Sequence, residues 1–446
     1  MCKSQVQIAG AGAGKTYGLA ELICNSKIED GKNIYAITYT NYAKKNIEDK
    51  IVEQKGYIPD NVKISTIHTF LLNEIIYPYS SYILNKKLNK ATSVPLPSDK
   101  KIRNSKMSQL EKHGMIHNEK VFNIAKQIIV GNKKQTKREK ARRKLVINHF
   151  ISSISSIYID EAQDLDNDII EIIKILAFNN VYVYMVGDPK QALRNTEVFL
   201  NFTNEVRNEQ VVNIEIQPNN NITRRLPKEV VKITNLYCPE DQRQKSISDV
   251  KGNISYIYTD DNNFDNVFAN IKEKKGIIYT RKKEENFDTK QEKNIMTITL
   301  KNILLEKKPE QDDEDAFLYE KEKEIEEILD NRKSLKLNFL DKYDIRLPAD
   351  EFYNLINQID NNKKYQVKSI DKVKGLENEN CMFIINDSML KYLLKINTER
   401  NKELNYLYVA LTRTERNLIL GIYTKEDKQI ISEKLQKLGI DKYDKK

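Results

Sequence analysis

The sequence predicts an α/β protein built on parallel sheets. Three short apolar strands, at 5–8, 155–159 and 181–186, are each followed at once by small or acidic residues. In parallel sheets, ligand-binding groups collect where the loops leave the carboxyl ends of the strands. Hydrophobic residues make up 39% and charged residues 31% of the 446-residue chain, a globular composition, and this length suggests two to four domains.

The first strand leads into a loop of small residues, AGAGAGKT at 9–16, and then into a predicted helix. Small residues, among them Gly10, Gly12 and Gly14, let consecutive backbone N–H groups wrap a phosphate chain. Lys15 is expected to reach the β- and γ-phosphates of a nucleotide, and the Thr16 hydroxyl to bind Mg²⁺. By itself the pattern also fits a Gly-rich turn that caps a helix, so the neighbouring segments must decide.

Acidic and amide side chains follow the other two strands. The second strand ends in DEAQD at 160–164, and the third in GDPKQ at 187–191. Asp160 is expected to hold Mg²⁺ through water, Glu161 to orient and deprotonate the attacking water, and Gln191 to sense the γ-phosphate. A lone acidic pair after a strand is more often a surface feature or a helix cap. Three such strand ends in this order instead predict an ATP or GTP site.

The order of these segments resembles the UvrD/Rep/PcrA group of superfamily 1 DNA helicases. The segments that carry the resemblance are AGAGAGKT at 9–16 (motif I), AITYTNYAKKNI at 36–47 (Ia), STIHTF at 65–70 (Ib), YIDEAQD at 158–164 (II), VGDPKQAL at 186–193 (III), NITRRLP at 221–227 (IV), SIDKVKGLE at 369–377 (V) and YLYVALTR at 406–413 (VI). They follow the family order and span nearly the whole chain.

The resemblance implies two RecA-like P-loop lobes with parallel sheets, closing on ATP, and small helical insertions. The implied boundaries are 1–85 and 146–207 for lobe 1A, 208–285 and 362–446 for lobe 2A, 86–145 for a reduced, basic 1B insertion and 286–361 for a reduced 2B insertion. The charge-rich stretch at 310–333 predicts a solvated helix. In size and layout the chain resembles the helicase-like subunit of the Gabija anti-phage system.

The resemblance also assigns nucleotide contacts to the second half of the chain. A single P-loop lobe cannot surround the γ-phosphate, so Arg225 and Arg413 would supply cations from the second lobe. Glu377 would contact the ribose. We expect Tyr17 and Arg224 to sandwich the base, with the cation and the aromatic ring exchanged relative to the family.

Single-stranded DNA would run along residues of motifs Ia, Ib and V. The residues implied are Tyr39, Asn41, His68, Lys374 and Gly375, since stacked aromatics and phosphate-gripping groups hold single strands. Core packing for Tyr39 and a structural role for His68 remain open alternatives. Motif III lacks the aromatic of the family and an Asp replaces the His of motif V, so the DNA track is eroded while the ATP site is intact.

A run of cations at 133–144 holds eight Lys and Arg in twelve residues. Such a run is usually a solvated helix face, but in the 1B position it would grip duplex DNA or an acidic partner, with a steep dependence on salt. The net charge of +10 and the pI of about 9.0 fit a polyanionic partner and also fit mere solubility.

Cysteine and histidine spacing favours neither a disulfide framework nor a zinc site, and a reducing, cytoplasmic compartment is expected. No signal-like segment opens the sequence, and no stretch approaches the roughly 18 apolar residues of a membrane span, so no membrane partner is expected. Because eight residues precede Ala9, the upstream helix with which the family reads adenine is not expected either.

Two functions follow. The first is an ATP- and Mg²⁺-dependent 3′-to-5′ helicase or translocase on single-stranded or partly duplex DNA, the polarity being the one the resemblance implies. The second is a DNA- or nucleotide-sensing ATPase subunit that controls a partner nuclease. In an anti-phage defence system, the expected partner is an OLD-type nuclease with a Toprim domain. The reduced insertions favour the second function. Intact Lys15, Glu161 and Arg413 argue against a scaffold that binds ATP without hydrolysing it.

Overall fold

A computed structural model describes residues 3–27, 31–132, 134–284, 286–289, 296–310, 312–328, 339–352 and 365–444. The chain divides into two compact units. The first comprises Met1–Ile67, Asn148–Thr289 and Tyr365–Lys446, and the second comprises His68–Ile147 and Lys290–Lys364. Among the described residues, no helix combines the length and the apolar character needed to cross a membrane.

The first sheet of the first unit is parallel throughout. Its strands are β1 (Ser4–Ile8), β2 (Asn33–Thr38), β3 (Val62–Thr66), β4 (Ile154–Ile159), β5 (Tyr182–Gly187) and β6 (Ile214–Ile216), in the order β3-β2-β4-β5-β1-β6. Val6, Ile8, Ile34 and Val183 are fully buried, as expected for strands that are covered on both faces. We call this sheet with its helices the N-terminal lobe.

Helices connect these strands and return the chain to the same edge of the sheet. They are Lys15–Asn25, Asn41–Lys55, Asn167–Phe178 and Val198–Arg207, with short 3₁₀ turns at Ala162–Asp164 and Pro189–Gln191. The helix Asn41–Lys55 begins where the Thr40 hydroxyl accepts a hydrogen bond from the Ala43 N–H. It ends at Gly56, whose φ of 83° is left-handed. Such caps satisfy backbone groups that a helix leaves unpaired at its ends.

The second sheet of this unit is also parallel, and we call it with its helices the C-terminal lobe. Its strands are β7 (Asn253–Tyr258), β8 (Ile277–Thr280), β9 (Lys368–Ser369), β10 (Asn378–Asn386), β11 (Thr414–Tyr423) and β12 (Asp441–Lys442), in the order β9-β8-β10-β11-β7-β12. The predicted α/β class with two parallel sheets is therefore confirmed.

The C-terminal lobe holds six described helices and two small parallel strand pairs. The helices are Lys228–Thr234, Phe264–Glu273, Ile370–Val373, Asp387–Leu393, Lys402–Leu411 and Lys428–Lys437, with 3₁₀ turns at Asn235–Tyr237 and Glu240–Gln242; the strand pairs are Ile222–Thr223 with Lys245–Ser246 and Phe287–Asp288 with Tyr365–Gln366. The helix Lys402–Leu411 is buried over most of its length. Tyr279 of β8 ties it to the sheet by donating a hydrogen bond of 2.6 Å to the Ala410 carbonyl.

The second unit is mainly helical. Its helices are a π-helix at Leu71–Ile76 that follows the short helix Ile67–Phe70, then Tyr77–Leu84, Lys100–Lys112, Val121–Ile129, Lys137–Ser152, Ile298–Glu306 and Glu314–Ile328, with a 3₁₀ turn at Asn118–Lys120 and a parallel strand pair at Lys90–Thr92 and Met115–His117. The residues at 68–85, predicted in lobe 1A, group with this unit because the π-helix packs on Val121–Ile129. The predicted insertion boundaries stay predictions.

Both insertion segments contribute to one core in this unit. Ala316 packs with Val94, Leu110 and Met115, and Lys106 forms an ion pair of 3.0 Å with Asp313. The charge-rich helix predicted at 310–333 corresponds to Glu314–Ile328, while residues 311 and 329–333 lie outside the described residues. That helix buries Phe317, Leu318 and Ile325, so one of its faces is core rather than solvated.

Candidate nucleotide site

A cavity of about 480 Å³ in the first unit gathers residues that follow β1, β4 and β5 together with residues of the C-terminal lobe. Most of the predicted site residues line it: Gly12, Gly14, Lys15, Thr16, Tyr17, Asp160, Glu161, Gln191, Arg225, Gly375, Glu377 and Arg413. The carboxyl ends of parallel strands share one edge of a sheet, which explains why segments so distant in sequence meet here.

The loop between β1 and the helix Lys15–Asn25 forms an anion cradle. Gly14 caps the helix with a left-handed φ of 78°, and Gly12 has a φ of 67°. A Cβ at Gly12 would lie 2.6 Å from the Thr223 Oγ1 and 2.8 Å from the Arg225 Cβ, so the C-terminal lobe approaches the loop closely. The Lys15 ammonium donates to the Gly10 carbonyl at 3.3 Å. A helix N-terminus and an ammonium group at one loop suit a phosphate chain.

A hydroxyl and two carboxyls stand beside this cradle. The Thr16 hydroxyl donates to the Asp160 Oδ2 at 2.6 Å, and Asp160 is buried. Burial and the neighbouring Glu161 raise the pKa of Asp160 to about 6. Burial also raises the pKa of Glu161, but Lys15 and Lys374 outweigh it and hold that pKa below its ordinary value. The buried Asp160 carboxyl, the adjacent half-buried Glu161 carboxyl and the Thr16 hydroxyl are hard oxygen ligands, so the residues present fit Mg²⁺.

Arg413 is buried between the two lobes. Its guanidinium donates to the Val409 carbonyl at 2.9 Å and to the Gln191 Oε1 at 3.1 Å, and only 2% of the residue is exposed. Burial and the second arginine, Arg225, lower the pKa of Arg413. These contacts hold a cation at the wall of the cavity, where its charge is poorly screened by water.

Arg225 is less fully satisfied than Arg413. One of its terminal nitrogens donates to the Thr412 carbonyl at 3.1 Å, and it forms an ion pair with Glu377. Its Nε is buried and, among the residues that the structure describes, meets no hydrogen-bond acceptor. A buried donor without an acceptor is costly. Its position at the cavity therefore fits a ligand oxygen, such as that of a phosphate.

Hydrogen bonds link the segments after β4 and β5. The Gln163 Oε1 accepts from the Asp188 N–H at 2.9 Å, and the Gln163 amide also contacts Glu161. Gln191 donates to the Asp188 Oδ2 at 3.0 Å while it accepts from Arg413. Asp188 thus fixes both amides, and a shift of Arg413 would be felt at Glu161 through buried hydrogen bonds.

Two predicted nucleotide residues do not line the cavity. Gly10, near the start of the loop, donates its N–H to the Asn220 carbonyl at 3.1 Å. Arg224 is exposed, and its backbone N–H donates to the Gly12 carbonyl at 3.1 Å. Tyr17 does line the cavity, and 45% of it is exposed. Arg224 is nevertheless adjacent to the loop, because its Nη1 would lie 3.6 Å from a Cβ at Gly14.

The predicted DNA residues of the first unit are largely engaged by protein side chains. The Arg194 guanidinium lies 4.5 Å from the ring centre of Tyr39 and donates to its hydroxyl at 2.7 Å. Lys374 is held by Asp164 through contacts of 2.7 and 2.5 Å. Asn41 is the exposed first residue of its helix.

The other two predicted DNA residues have different surroundings. His68 belongs to the second unit, where its ring lies 4.6 Å from that of Phe122. Gly375 has a left-handed φ of 86°, and a Cβ there would lie 3.7 Å from the Tyr42 ring. Gly375 lines the nucleotide cavity, although the sequence prediction assigned it to DNA.

The cationic run at 133–144 is partly structural. Lys133 lies outside the described residues. Arg143 donates to the Ile128 and Gln127 carbonyls at 3.0 Å each, and Arg142 lies 5.4 Å from the ring centre of Tyr82. The exposed cations of the run are Lys134, Lys137, Arg138, Lys140 and Lys144, so the predicted charged face persists with fewer members.

Six residues that line the cavity are absent from the predicted site residues: Ala13, Tyr42, Ala43, Asn46, Lys50 and Glu415. Tyr42, Asn46 and Lys50 lie on the helix Asn41–Lys55 at intervals of four residues, and Glu415 follows Arg413 by two. Residues four apart share one face of a helix, so a helix predicted from the sequence at these positions would have placed the three side chains together. Burial and Glu377 raise the pKa of Glu415.

Part of the chain is similar to known proteins. A family model described as an AAA domain matches residues 3–197. The RecBCD enzyme subunit RecB of Buchnera aphidicola subsp. Acyrthosiphon pisum (strain APS) is 27% identical over 188 residues, which are 40% of this chain and 15% of RecB. The chain therefore spans only a small part of that relative. The segment that matches the AAA-domain model contains the phosphate loop and the residues after β4 and β5 that line the cavity.

Two solved structures resemble the chain over most of its length. They are Arterivirus nonstructural protein 10 (helicase), with a TM-score of 0.38, and the same protein in complex with DNA, with a TM-score of 0.37. Each is 10% identical and covers 97% of this chain. The chain covers 61% and 63% of the two viral chains.

Proposed function

We propose that the chain is an ATP-dependent DNA helicase or translocase of the UvrD type, which hydrolyses ATP while it moves 3′-to-5′ on single-stranded DNA. The observation that carries the proposal is the shared cavity, in which Lys15 and Glu161 of one lobe face Arg225 and Arg413 of the other. Cations supplied from a second lobe are what a nucleotide motor requires, because their positions change when the lobes move.

The residues around the cavity have separate parts in the proposed hydrolysis. Lys15 and the backbone N–H groups of the loop hold the β- and γ-phosphates. Glu161 accepts the proton of the water that attacks the γ-phosphorus, and Arg225 and Arg413 stabilise the charge that develops on its oxygens. When bound at Thr16 and Asp160, Mg²⁺ would neutralise phosphate charge. Tyr17, which lines the cavity, and Arg224, which lies beside Gly14, are proposed to sandwich the base.

Polar contacts between the lobes support coupling between the ATP site and a DNA track. Lys374, in the segment resembling motif V, binds Asp164 four residues after Asp160. Arg413 binds Gln191 across the same boundary. Any change in the separation of the lobes must break or remake these buried bonds, so the proposed nucleotide cycle would alter the surroundings of Lys374.

A specific observation favours a second candidate, a DNA- or nucleotide-sensing ATPase subunit that controls a partner nuclease. Lys374 and Tyr39, both predicted to contact DNA, are bound by Asp164 and Arg194. Residues bound in this way would have to exchange partners before gripping DNA, which suits a sensor better than a processive motor. A place in anti-phage defence beside an OLD-type nuclease, and a cytoplasmic location, stay predictions from the sequence.

Hydrolysis and strand displacement, measured side by side, test the proposal. The wild-type chain should hydrolyse ATP faster with single-stranded DNA and displace the strand of a 3′-tailed duplex but not of a 5′-tailed one. Glu161→Gln should lower kcat on the order of 10²- to 10⁴-fold while nucleotide binding persists. Glu171→Gln, a change at a partly exposed glutamate of the helix Asn167–Phe178, is the matched control. Stimulated hydrolysis without displacement would select the sensor, and no hydrolysis of any nucleotide would end both.

A further inference from the structure

Gln244 of the C-terminal lobe is buried against the phosphate loop although it belongs to none of the motifs. Only 5% of it is exposed. Its backbone is clamped by one side chain: the Asn235 Oδ1 accepts from the Gln244 N–H, and the Asn235 Nδ2 donates to the Gln244 carbonyl, both at 2.8 Å. This clamp fixes the direction in which the Gln244 side chain leaves the backbone.

The Gln244 amide closes a ring of hydrogen bonds with Ala11 and Tyr408. Its Nε2 donates to the Ala11 carbonyl at 2.8 Å, and its Oε1 accepts from the Tyr408 hydroxyl at 2.8 Å. The Tyr408 oxygen in turn accepts from the Ala11 N–H at 3.5 Å. Each donor in the ring meets one acceptor. The backbone N–H and carbonyl of Ala11, in the phosphate loop, therefore both form hydrogen bonds with side chains of the C-terminal lobe.

Gly10 makes this approach sterically feasible. A Cβ at Gly10 would lie 2.4 Å from the Gln244 Nε2 and 2.5 Å from its Cδ. Gly10 does not line the nucleotide cavity, and the sequence prediction ascribed it to phosphate binding. The requirement for glycine at this position therefore also comes from the Gln244 side chain.

Tyr408 connects the ring to Arg413 along one helix. Tyr408 lies on Lys402–Leu411, and its carbonyl accepts from the Thr412 hydroxyl at 2.9 Å. The Thr412 hydroxyl oxygen accepts from the Arg413 Nη2 at 3.1 Å. The Arg413 Nε is held by the carbonyl of Val409, the residue after Tyr408. Because a packed helix end moves as one body, the position of the Tyr408 hydroxyl sets the position of the Arg413 guanidinium.

We propose that Gln244 is a positioning residue, which registers the helix Lys402–Leu411 on the phosphate loop and thereby aligns Arg413 in the cavity. The inference rests on the proposed function for its catalytic consequence, since Arg413 is there the cation that stabilises transferred charge. Its structural content is independent of hydrolysis: a change at Gln244 must be felt both at Ala11 and around Arg413.

Amide hydrogen exchange without nucleotide tests the structural content. Gln244→Leu keeps the size of the side chain and removes both hydrogen bonds, and Tyr408→Phe removes one hydroxyl. Both variants should speed exchange in peptides covering residues 9–16 and also in peptides covering 408–413. Tyr256→Phe, which alters another buried tyrosine of the C-terminal lobe, should leave both peptides unchanged. Faster exchange in residues 9–16 alone, or in neither peptide, would overturn the inference.

Steady-state hydrolysis tests the catalytic consequence. Gln244→Leu and Tyr408→Phe should each lower kcat at least about tenfold, with the KM for ATP changed by less than about threefold, because misplacement of a catalytic group acts on the transition state. In an Arg413→Ala background, adding Gln244→Leu should lower kcat further by less than about twofold. The reason is that Gln244 is proposed to act on kcat through the arginine that is already absent. If Gln244→Leu lowers kcat by the same factor in this background as in the wild-type chain, the inference is overturned. If the wild-type chain does not hydrolyse ATP, the proposed function fails. The amide hydrogen exchange of the variants would still decide whether Gln244 positions the helix Lys402–Leu411.

Discussion

The Lys374 ammonium donates to both carboxylate oxygens of Asp164, at 2.7 Å to Oδ1 and 2.5 Å to Oδ2. The two side chains are 14% and 9% exposed, and they join the C-terminal lobe to the segment after β4. Burial raises the pKa of Asp164, and Lys374 opposes that shift. The charge of Lys374 also helps to hold the pKa of Glu161 low. One lysine therefore links the lobe boundary to the proposed catalytic carboxylate.

Lys374→Met should destabilise the fold in a pH-dependent manner. Breaking a buried pair leaves a buried charge uncompensated, so the free energy of unfolding should fall by about 3 kcal/mol near neutral pH. Burial raises the folded-state pKa of Asp164, and without Lys374 that pKa rises further, so protonated Asp164 is tolerated and the deficit should shrink as pH falls. Urea denaturation at about pH 8 and about pH 5 measures this.

The control for this prediction is the double variant Lys374→Met with Asp164→Asn. It removes the buried charge and should recover most of the stability at the higher pH. An equal deficit at both pH values, or no recovery in the double variant, would contradict the ion-pair argument.

Gly10→Ala and Gly18→Ala should have opposite effects on stability. The Cβ at Gly10 would overlap the Gln244 amide, whereas at Gly18 no described atom outside its own helix backbone and its chain neighbours lies within 4 Å. Gly18 is inside the helix Lys15–Asn25, where alanine is favoured by about 0.5–1 kcal/mol. Thermal or urea unfolding checks both variants. A Gly10→Ala chain as stable as wild type would mean that Gln244 can move aside.

Arg413→Ala and Arg225→Ala should separate stability from catalysis. Both should lower kcat strongly, since both arginines are proposed to meet developing charge. Arg413→Ala should also lower the free energy of unfolding by about 1–3 kcal/mol, because the buried Gln191 Oε1 loses its donor and the Val409 carbonyl loses one of its donors. Arg225→Ala should lower the free energy of unfolding by a smaller amount, since the Arg225 Nε meets no described acceptor. Urea denaturation measures the free energy of unfolding of the two variants, and steady-state kinetics measures their kcat. Equal losses of unfolding free energy in the two variants would contradict the prediction.

Tyr17→Ala should weaken nucleotide binding more than it slows turnover. The ring of Tyr17 lines the cavity beside the phosphate loop, and loss of a stacking surface for the base costs about 1–3 kcal/mol. The KM for ATP should therefore rise roughly tenfold with kcat largely retained. Tyr57→Ala, at a tyrosine that is 59% exposed and does not line the cavity, is the control. An unchanged KM for Tyr17→Ala would reject the base sandwich.

Removal of exposed cations from the helix Lys137–Ser152 should weaken DNA binding and flatten its salt dependence. Lys137, Arg138, Lys140 and Lys144 are exposed, and for every cation that no longer pairs with a DNA phosphate the slope of log K against log salt should fall by about 0.7 to 0.9. Fluorescence anisotropy should measure the DNA affinity of a variant in which these four residues are changed to glutamine. The control variant carries glutamine at four exposed lysines of the first unit: Lys245, Lys251, Lys425 and Lys437. Equal slopes for the two variants would place the DNA track elsewhere.

Several site residues were predictable because local sequence determines where a parallel strand ends. The apolar run before Asp160 and Glu161 forms β4, and the run before GDPKQ forms β5, so their carboxyl ends had to lie at one edge. The glycines of the phosphate loop likewise predicted a backbone that can wrap a phosphate chain, and Gly12 and Gly14 have the positive φ angles that glycine adopts readily. Periodicity and the placement of glycine, both local properties, carry these predictions.

The tertiary structure alone decided which side chains are partners. Nothing in the sequence near Gln244 indicates that it binds Ala11, a residue 233 positions away. Lys374 was predicted to meet a DNA phosphate, yet it is held by Asp164 across 210 positions. Local strand and turn preferences, which act over a few residues, predicted parallel strands and a phosphate loop, and the division into two lobes was expected from the resemblance to the helicase family. Pairing across the lobes depends instead on how two separately formed surfaces pack, and composition or spacing does not encode that locally.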